Sequence, residues 1–324
     1  MIAAARFLAG FAEPYSANFD TLSKHRLSEA LKHAFAMRMS LADPTFYPDV
    51  VAEVLEDMVE GDYVESLRRE AFEDGSVLEN YEGYGGEKWG LPGGEDGGGR
   101  RGREEGSGIA ERKTLNFQYL EDHGTSHFSI VDKFGNAVSI TTTINTEFGS
   151  KVLSPSTGVL FNNEMDDFAS PGRPNYFGLA PSPLNYPAGH KRPLSSMSPT
   201  IIFYKGKVRM VLGASGGPKI ITATLQTFLN HALAGQDLFE ANSGPRIHEQ
   251  LMYHGELTCV YSDEVLVGGV ELRSKDLVVD SMIKRGHGME PSGYLGSCQA
   301  ISVDVDGRTS AVSDVRKHGA PAAE

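Results

Sequence analysis

Asp122-His123-Gly124-Thr125-Ser126-His127 is the stretch on which the reading of this chain turns. A backbone cut between Gly124 and Thr125 would leave a threonine at a new N-terminus, with nucleophile and base on one residue. A threonine hydroxyl is a poor nucleophile alone, but a free α-amino group, with an unperturbed pKa of about 7.7–8.0, can take its proton at neutral pH. The plain alternative is that Thr125 only opens a β-strand, as β-branched residues often do. Downstream, residues 127–131 alternate, Asp132-Lys133-Phe134-Gly135-Asn136 reads as a turn, and residues 137–143 alternate again, which predicts a hairpin. A loop centred on Phe134 sets Thr125 opposite Thr143; one centred half a residue later sets Ile144 there instead.

The 324 residues, 40% hydrophobic and 23% charged, suffice for one large domain or two smaller ones with a real core. A formal net charge of −13 and the lack of a basic stripe argue against a nucleic-acid partner. Residues 1–11 are apolar but include Arg6 and run into Glu13-Pro14. They are too short to span a bilayer and lack a signal peptide's layout, so they predict one buried helix and leave the compartment open. Cys259 and Cys298 define neither a disulfide framework nor a metal site and are expected to be free, buried thiols.

Three stretches follow from composition and period. Residues 1–82 read as helical: Leu27, Ala30, Leu31, Ala34 and Phe35 recur at i, i+3, i+4 spacing, Thr21 or Ser23 can cap the start, and Asp43-Pro44 supplies the stop. A second amphipathic segment covers residues 50–58. With no strands of their own, these helices look like part of a layer. Residues 83–122 form a linker ahead of the junction, rich in glycine and charge, as in Gly93-Gly94-Glu95-Asp96-Gly97-Gly98-Gly99-Arg100-Arg101-Gly102, and are expected to be mobile and solvated from Gly83 onward. Residues 123–324 have the texture of an α/β or α+β domain, with further strands expected at 200–204, 207–213, 265–272 and 300–305.

Val211-Leu212-Gly213-Ala214-Ser215-Gly216-Gly217-Pro218 ends an apolar strand in small residues and leads into a helix over residues 218–233. Gly216 and Gly217 let backbone N–H groups approach a ligand, and Pro218 suits a first helical position. This fits an oxyanion hole, where one lost donor typically costs roughly 2.7–4 kcal/mol; it also fits a glycine-rich turn with no ligand. The Lys-Ser/Thr ending of a phosphate loop is missing. Asn162-Asn163-Glu164-Met165-Asp166-Asp167-Phe168 is either a solvated acidic loop or, if partly buried, a site for an ammonium group, to which Asn145 can add an acceptor. It lacks the regular ligand pattern of a calcium loop. Ser195-Ser196, in the proline-bounded run Lys191-Arg192-Pro193-Leu194-Ser195-Ser196-Met197-Ser198-Pro199, can hydrogen-bond a carboxylate or serve the local backbone. Together these parts describe a pocket for an α-amino acid, with acyl chemistry at Thr125.

Thr125-Ser126-His127, Thr141-Thr142-Thr143-Ile144-Asn145, Phe148-Gly149-Ser150, the run from Phe161 to Phe168, Pro193-Leu194-Ser195-Ser196-Met197-Ser198-Pro199-Thr200, Gly213-Ala214-Ser215-Gly216-Gly217, Pro245-Arg246-Ile247-His248 and Ser313-Asp314-Val315-Arg316-Lys317 resemble, in order, the motifs of the γ-glutamyltransferase (γ-glutamyltranspeptidase, glutathione hydrolase) family. The resemblance covers that family's whole small catalytic subunit. It implies an α+β N-terminal-nucleophile hydrolase fold, a four-layer αββα sandwich that is incomplete in this chain, matured by self-cleavage at Gly124-Thr125 into large and small subunits from one precursor. It further implies Thr125 as nucleophile, Thr143 as its activating partner, Asn145, Glu164 and Asp167 around the glutamyl ammonium, Ser195 and Ser196 at the α-carboxylate, and Gly216 and Gly217 at the oxyanion. The implied substrates are a γ-glutamyl donor such as glutathione and, as acceptor, water, an amino acid or a dipeptide, with no cofactor and no metal. Family members usually act outside the cytoplasm.

One departure accompanies the resemblance. The family's large subunit contributes an arginine to the substrate α-carboxylate from a segment upstream of anything here, and residues 1 to about 120 resemble only the end of that subunit. Neither Arg192 nor another local arginine sits in the matching motif, so the chain reads as truncated. The alternatives are a non-catalytic remnant or scaffold, and an N-terminal-nucleophile amidase for another acyl group.

Overall fold

The structure, a computed structural model, describes residues 1–13, 15–16, 20–71, 83–90, 124–252, 259–261, 264–267, 270–273, 278–317 and 319–323. The apolar opening forms α1 (Ile2–Ala9), which buries Phe7 and Leu8 against α2 (Thr21–Arg38). Neither expected residue caps α2: the Asp20 carboxylate accepts from the Leu22 and Ser23 N–H groups at 3.3 and 3.1 Å. Nor is α2 one-sided, since every residue from Ser23 to Arg38 is buried. Part of its polar side is paired rather than solvated. Glu29 accepts from Lys32 Nζ at 2.8 Å and from the Tyr84 hydroxyl at 2.8 Å, and the His25 and His287 rings hydrogen-bond at 2.7 Å.

Tyr84 also corrects the linker expectation at its near end. Residues 83–90 pack onto α2, with Tyr84 fully buried, the Gly85 N–H donating to His33 Nδ1 at 3.1 Å, and a short α5 (Gly86–Trp89) whose indole N–H donates to Asp57 at 2.7 Å. Tyr84 and Trp89 carry the apolar area that a composition average over glycine and charge hides. The remainder of that stretch, residues 91–122, lies outside the described residues. Asp57 belongs to α3 (Pro48–Val59), and α4 (Tyr63–Ala71) completes this helical group.

Beyond the junction, β1 (Thr125–Val131) and β2 (Ala137–Thr143) form the expected hairpin, with Thr125 paired to Thr143. It stacks on a sheet ordered β11-β10-β4-β3, built from β3 (Thr200–Tyr204), β4 (Lys207–Ser215), β10 (Ser297–Val303) and β11 (Thr309–Ser313). The stacked face of the hairpin is polar: Ser139 donates to the Leu212 carbonyl at 3.1 Å and Ser129 to the Gln299 carbonyl at 3.2 Å. Its other face carries Phe128, Ile130, Val138 and Ile140, 48–54% exposed, so no outer helical layer covers it among the described residues.

Helices α6 (Lys219–Phe228) and α7 (Leu238–Ser243) lie on the opposite side of the sheet, where Ile220, Ala223 and Leu238 meet Met210, Leu212 and Ala300. Ile221, Leu225 and Leu229 join the core around α1 and α2 instead, so α6 is shared by both groups. The helix expected to run to residue 233 leaves α geometry at Phe228 and finishes as a π-turn, Leu229–Leu233. A three-stranded sheet pairs β5 (Ile247–His248), β6 (Cys259–Tyr261) and β9 (Met289–Pro291), with α8 (Asp280–Lys284) preceding β9. The single strand expected over 265–272 is two, β7 (Glu264–Val267) and β8 (Val270–Arg273), paired antiparallel. Cys259 and Cys298 are free and buried.

Candidate active site

The hairpin register brings the Thr125 and Thr143 hydroxyls to 2.8 Å. Thr143 Oγ1 also accepts from the Asn145 N–H at 2.8 Å and lies 3.3 Å from the Gly124 carbonyl, to which it donates. A hydroxyl has one proton and two acceptor positions. With its proton on Gly124 and one acceptor position on Asn145, Thr143 accepts the Thr125 proton. The Gly124 carbonyl receives a second bond, from the Ile144 N–H at 3.0 Å, so the carbonyl beside the junction is held by two donors. Gly124 tolerates no side chain, because a Cβ there would stand 2.3 Å from the Asn145 carbonyl oxygen and 2.4 Å from that of Thr146. Behind Thr125, Lys317 Nζ donates to its carbonyl at 2.9 Å and to Ser215 Oγ at 3.2 Å.

A cleft of about 350 Å³ opens from this pair, lined by Thr125, Thr143, Asn145, Glu164, Asp167, Ser195, Ser196 and Gly217 among others. Eight of the expected site residues therefore meet in one place. Gly124 and Gly216 do not line it. Gly216, at φ 131, sits against Gly296, where a Cβ would come within 2.8 Å of that residue's Cα; at Gly217, φ 57, a Cβ would strike the Phe177 ring at 2.7 Å. Their carbonyls accept from the Lys219 and Ile220 N–H groups in the first turn of α6.

The acidic end is a single turn, Glu164–Asp167, in which Glu164 and Asp167 hydrogen-bond to one another. Burial, then the neighbouring Glu164, pushes the Asp167 carboxyl well above the usual range, to about 7. An ammonium placed between the two would replace the shared proton. Asn145, buried at φ 73, donates from Nδ2 to the Asn163 carbonyl at 3.1 Å, and its Oδ1 is an acceptor.

At the other end, Ser195 Oγ accepts from the Met197 N–H at 3.1 Å, and Ser196 Oγ accepts from Arg38 Nη2 at 2.9 Å. The exit of α2 grips this loop further. Asp43 accepts from the Arg192 backbone N–H at 2.9 Å and from its guanidinium at 2.7 and 3.1 Å, bonds that hold its carboxyl far below the usual range, and Ser182 donates to the Met39 carbonyl at 2.7 Å. Arg192 is thus a strut of the loop.

Sequence reasoning missed Arg38, which no local pattern links to a serine 158 positions away. It also gave no role to Lys317, although that residue closes the last of the matching motifs. His127 is structural: burial lowers its pKa to about 4, and its neutral ring bridges Thr141 and Ser129 at 2.8 and 3.1 Å. Elsewhere, His25, Glu29 and His287 bring three metal-ligating atoms within 4.8 Å. The Lys32 ammonium, 2.8 Å from Glu29 and 3.4 Å from His287 Nδ1, already supplies the positive charge there.

A family model described as gamma-glutamyltranspeptidase matches residues 2–324. Glutathione hydrolase 2 of Arabidopsis thaliana is 40% identical over 314 residues, covering 93% of this chain and 47% of its own length. The chain spans about half the length of the curated relatives it matches first, 47% and 41% for the leading two. Among solved structures, the gamma-glutamyltranspeptidase from Pseudomonas nitroreducens aligns with a TM-score of 0.54 at 40% identity, over 61% of this chain and 98% of that one. A cephalosporin acylase from Bacillus halodurans aligns with a TM-score of 0.66 over 97% of this chain and 47% of its own, a likeness of fold alone at 20% identity.

Proposed function

Because this chain belongs to the gamma-glutamyltranspeptidase family, we propose that it carries the catalytic cleft of a γ-glutamyl transferase and hydrolase, and that it is made as a precursor cut at Gly124-Thr125. In the maturation step, Thr125 Oγ1 gives its proton to Thr143 and attacks the Gly124 carbonyl carbon. The C–N bond breaks as that proton passes from Thr143 to the Thr125 nitrogen, which leaves as a free amine, and water hydrolyses the resulting ester. The pair of donors on the Gly124 carbonyl, Ile144 N–H and Thr143 Oγ1, supports this step by stabilising charge on that oxygen. Residues 1–82 then read as the end of a large subunit and residues 123–324 as the small catalytic part, whose subunit begins at Thr125.

In the catalytic cycle the new amine takes the hydroxyl proton while Thr125 attacks the γ-carbonyl of a γ-glutamyl amide, and it passes that proton to the departing amine. The acyl ester is then taken by water, an amino acid or a dipeptide. Glutathione is the donor that this reading favours. Glu164, Asp167 and Asn145 hold the glutamyl ammonium, Ser195 and Ser196 its α-carboxylate, and the Gly216-Gly217 turn faces the oxyanion. The observation that carries the reading is the 2.8 Å hydroxyl pair at one wall of a cleft whose ends are a carboxylate pair and a serine pair.

The test is release of 4-nitroaniline from L-γ-glutamyl-4-nitroanilide by purified chain, compared with the glutaryl analogue, which lacks the ammonium. Turnover of the first only, abolished by Thr125→Ala, is the expected result. Equal turnover of both would point to another acyl specificity.

A further inference from the structure

We propose that Arg38 is a positioning residue for the α-carboxylate end of the cleft: it fixes the Ser196 hydroxyl so that its one proton is presented to the ligand, and it stands as a buried cation behind Ser196 and Asp167. This assignment rests on the reading of the cleft as a γ-glutamyl pocket.

The direction of the 2.9 Å bond between Arg38 Nη2 and Ser196 Oγ is not in doubt, because a guanidinium has donors and no acceptor. Ser196 Oγ must accept, and it has no other protein partner among the described residues. Ser195 Oγ is likewise an acceptor, from the Met197 N–H at 3.1 Å. Two adjacent hydroxyls are therefore each held as acceptors on the protein side, one by the backbone and one by Arg38. Both protons remain for a group that only accepts, and a carboxylate with two oxygens is such a group.

Arg38 is built into its place. It closes α2, where the helix dipole favours a cation, and its guanidinium lies 6.0 Å from the Phe35 ring centroid. The residues that follow are tied to the same loop through Met39 with Ser182 and Asp43 with Arg192. It is buried, and although burial lowers its pKa to about 10, the Asp167 charge works the other way and the group stays cationic at neutral pH. At Asp167 the Arg38 charge works against those of the neighbouring Glu164 and Asp166 carboxyl groups. A serine pair alone would meet a carboxylate with two neutral dipoles; Arg38 adds a full charge one bond behind.

The test uses the full chain and two ligands, L-glutamate and γ-aminobutyrate. The second keeps the ammonium and the distal carboxylate and lacks the α-carboxylate. Calorimetric binding is compared for the parent, Arg38→Met, Arg38→Lys, Ser196→Ala and the Arg38→Met/Ser196→Ala pair. The expected result is a parent that prefers L-glutamate, an Arg38→Met chain about tenfold weaker for L-glutamate and little changed for γ-aminobutyrate, and a double variant little worse than the weaker single one, since both act through one hydroxyl. If Arg38→Met does not fold, Arg38→Lys carries the comparison, with L-glutamate alone weakened. A folded Arg38 variant that binds L-glutamate like the parent, or loses both ligands equally, overturns the assignment. A parent that binds neither ligand, or both alike, overturns the pocket reading and the assignment with it.

Discussion

At the scale of single residues, Thr143 does the most with the least. Its hydroxyl accepts from the Asn145 N–H, donates to the Gly124 carbonyl and accepts from Thr125, so each of its three hydrogen-bonding positions is assigned. Thr143→Val keeps the shape and removes all three bonds; self-cleavage is expected to slow by roughly 10²-fold or more, read from the appearance of the smaller fragment on a gel. An unchanged rate would mean that the pair is only a strand contact. Asp167 gives a second prediction. Burial raises its folded pKa to about 7, above an unfolded value of ~3.9, so the stability gained from its protonation is complete in acid and lost as pH rises through about 7. A ligand ammonium needs the ionised form. L-Glutamate affinity should therefore increase as pH rises through about 7, and Asp167→Asn should weaken binding and flatten the curve; an affinity that falls over the same range would contradict this. The pairing of Thr125 with Thr143 is one of two registers legible in the sequence, and the loop centred on Phe134 selects it over Ile144. Arg38 is not, because nothing local to α2 announces which distant loop its side chain will reach.

At the scale of elements, the hairpin meets its sheet through small polar groups rather than apolar ones. His127, Ser129, Ser139 and Thr141 lie in or bond across that interface, while Phe128, Ile130, Val138 and Ile140 face outward. Alternation alone shows that a hairpin exists; which face is inward depends on what it packs against. Gly213 on β4 sets the distance, since a Cβ there would fall 2.3 Å from the His127 ring, which two hydrogen bonds pin in place. Gly213→Ala is expected to destabilise by about 1–3 kcal/mol, as overpacking of a filled site does. A thermal melt would show it as a lowered Tm, and an unchanged Tm would mean that the ring moves aside freely. The period of α2 predicts its helix and misses its burial for a related reason. A polar face reads as solvated until its partners, Tyr84 and His287, are known, and both come from distant parts of the chain.

At the scale of the whole molecule, the two sides of the Gly124-Thr125 junction share their cores. Ile221 and Leu225 of α6 and Leu229 just beyond it pack with α1 and α2, His25 meets His287, and Asp43 and Arg38 hold the loop bearing Ser195 and Ser196. After cleavage the two fragments are expected to stay together, eluting as one species in size-exclusion chromatography at neutral pH and separating only in denaturant. Separate elution would mean that the junction alone joins them. The split into a helical part and a strand-rich part can be read from composition and period, while α+β rather than α/β is what the family resemblance implies; the packing of residues 83–90 onto α2 is legible in neither, because two aromatic residues are diluted there by glycine and charge. The claim on which everything else depends is that Thr125 becomes an N-terminus. N-terminal sequencing and intact mass of the purified chain test it directly. A fragment beginning Thr125-Ser126-His127, missing from Thr125→Ala, is the result expected; a parent chain that stays whole under conditions where it is folded, or is cut elsewhere, would contradict it.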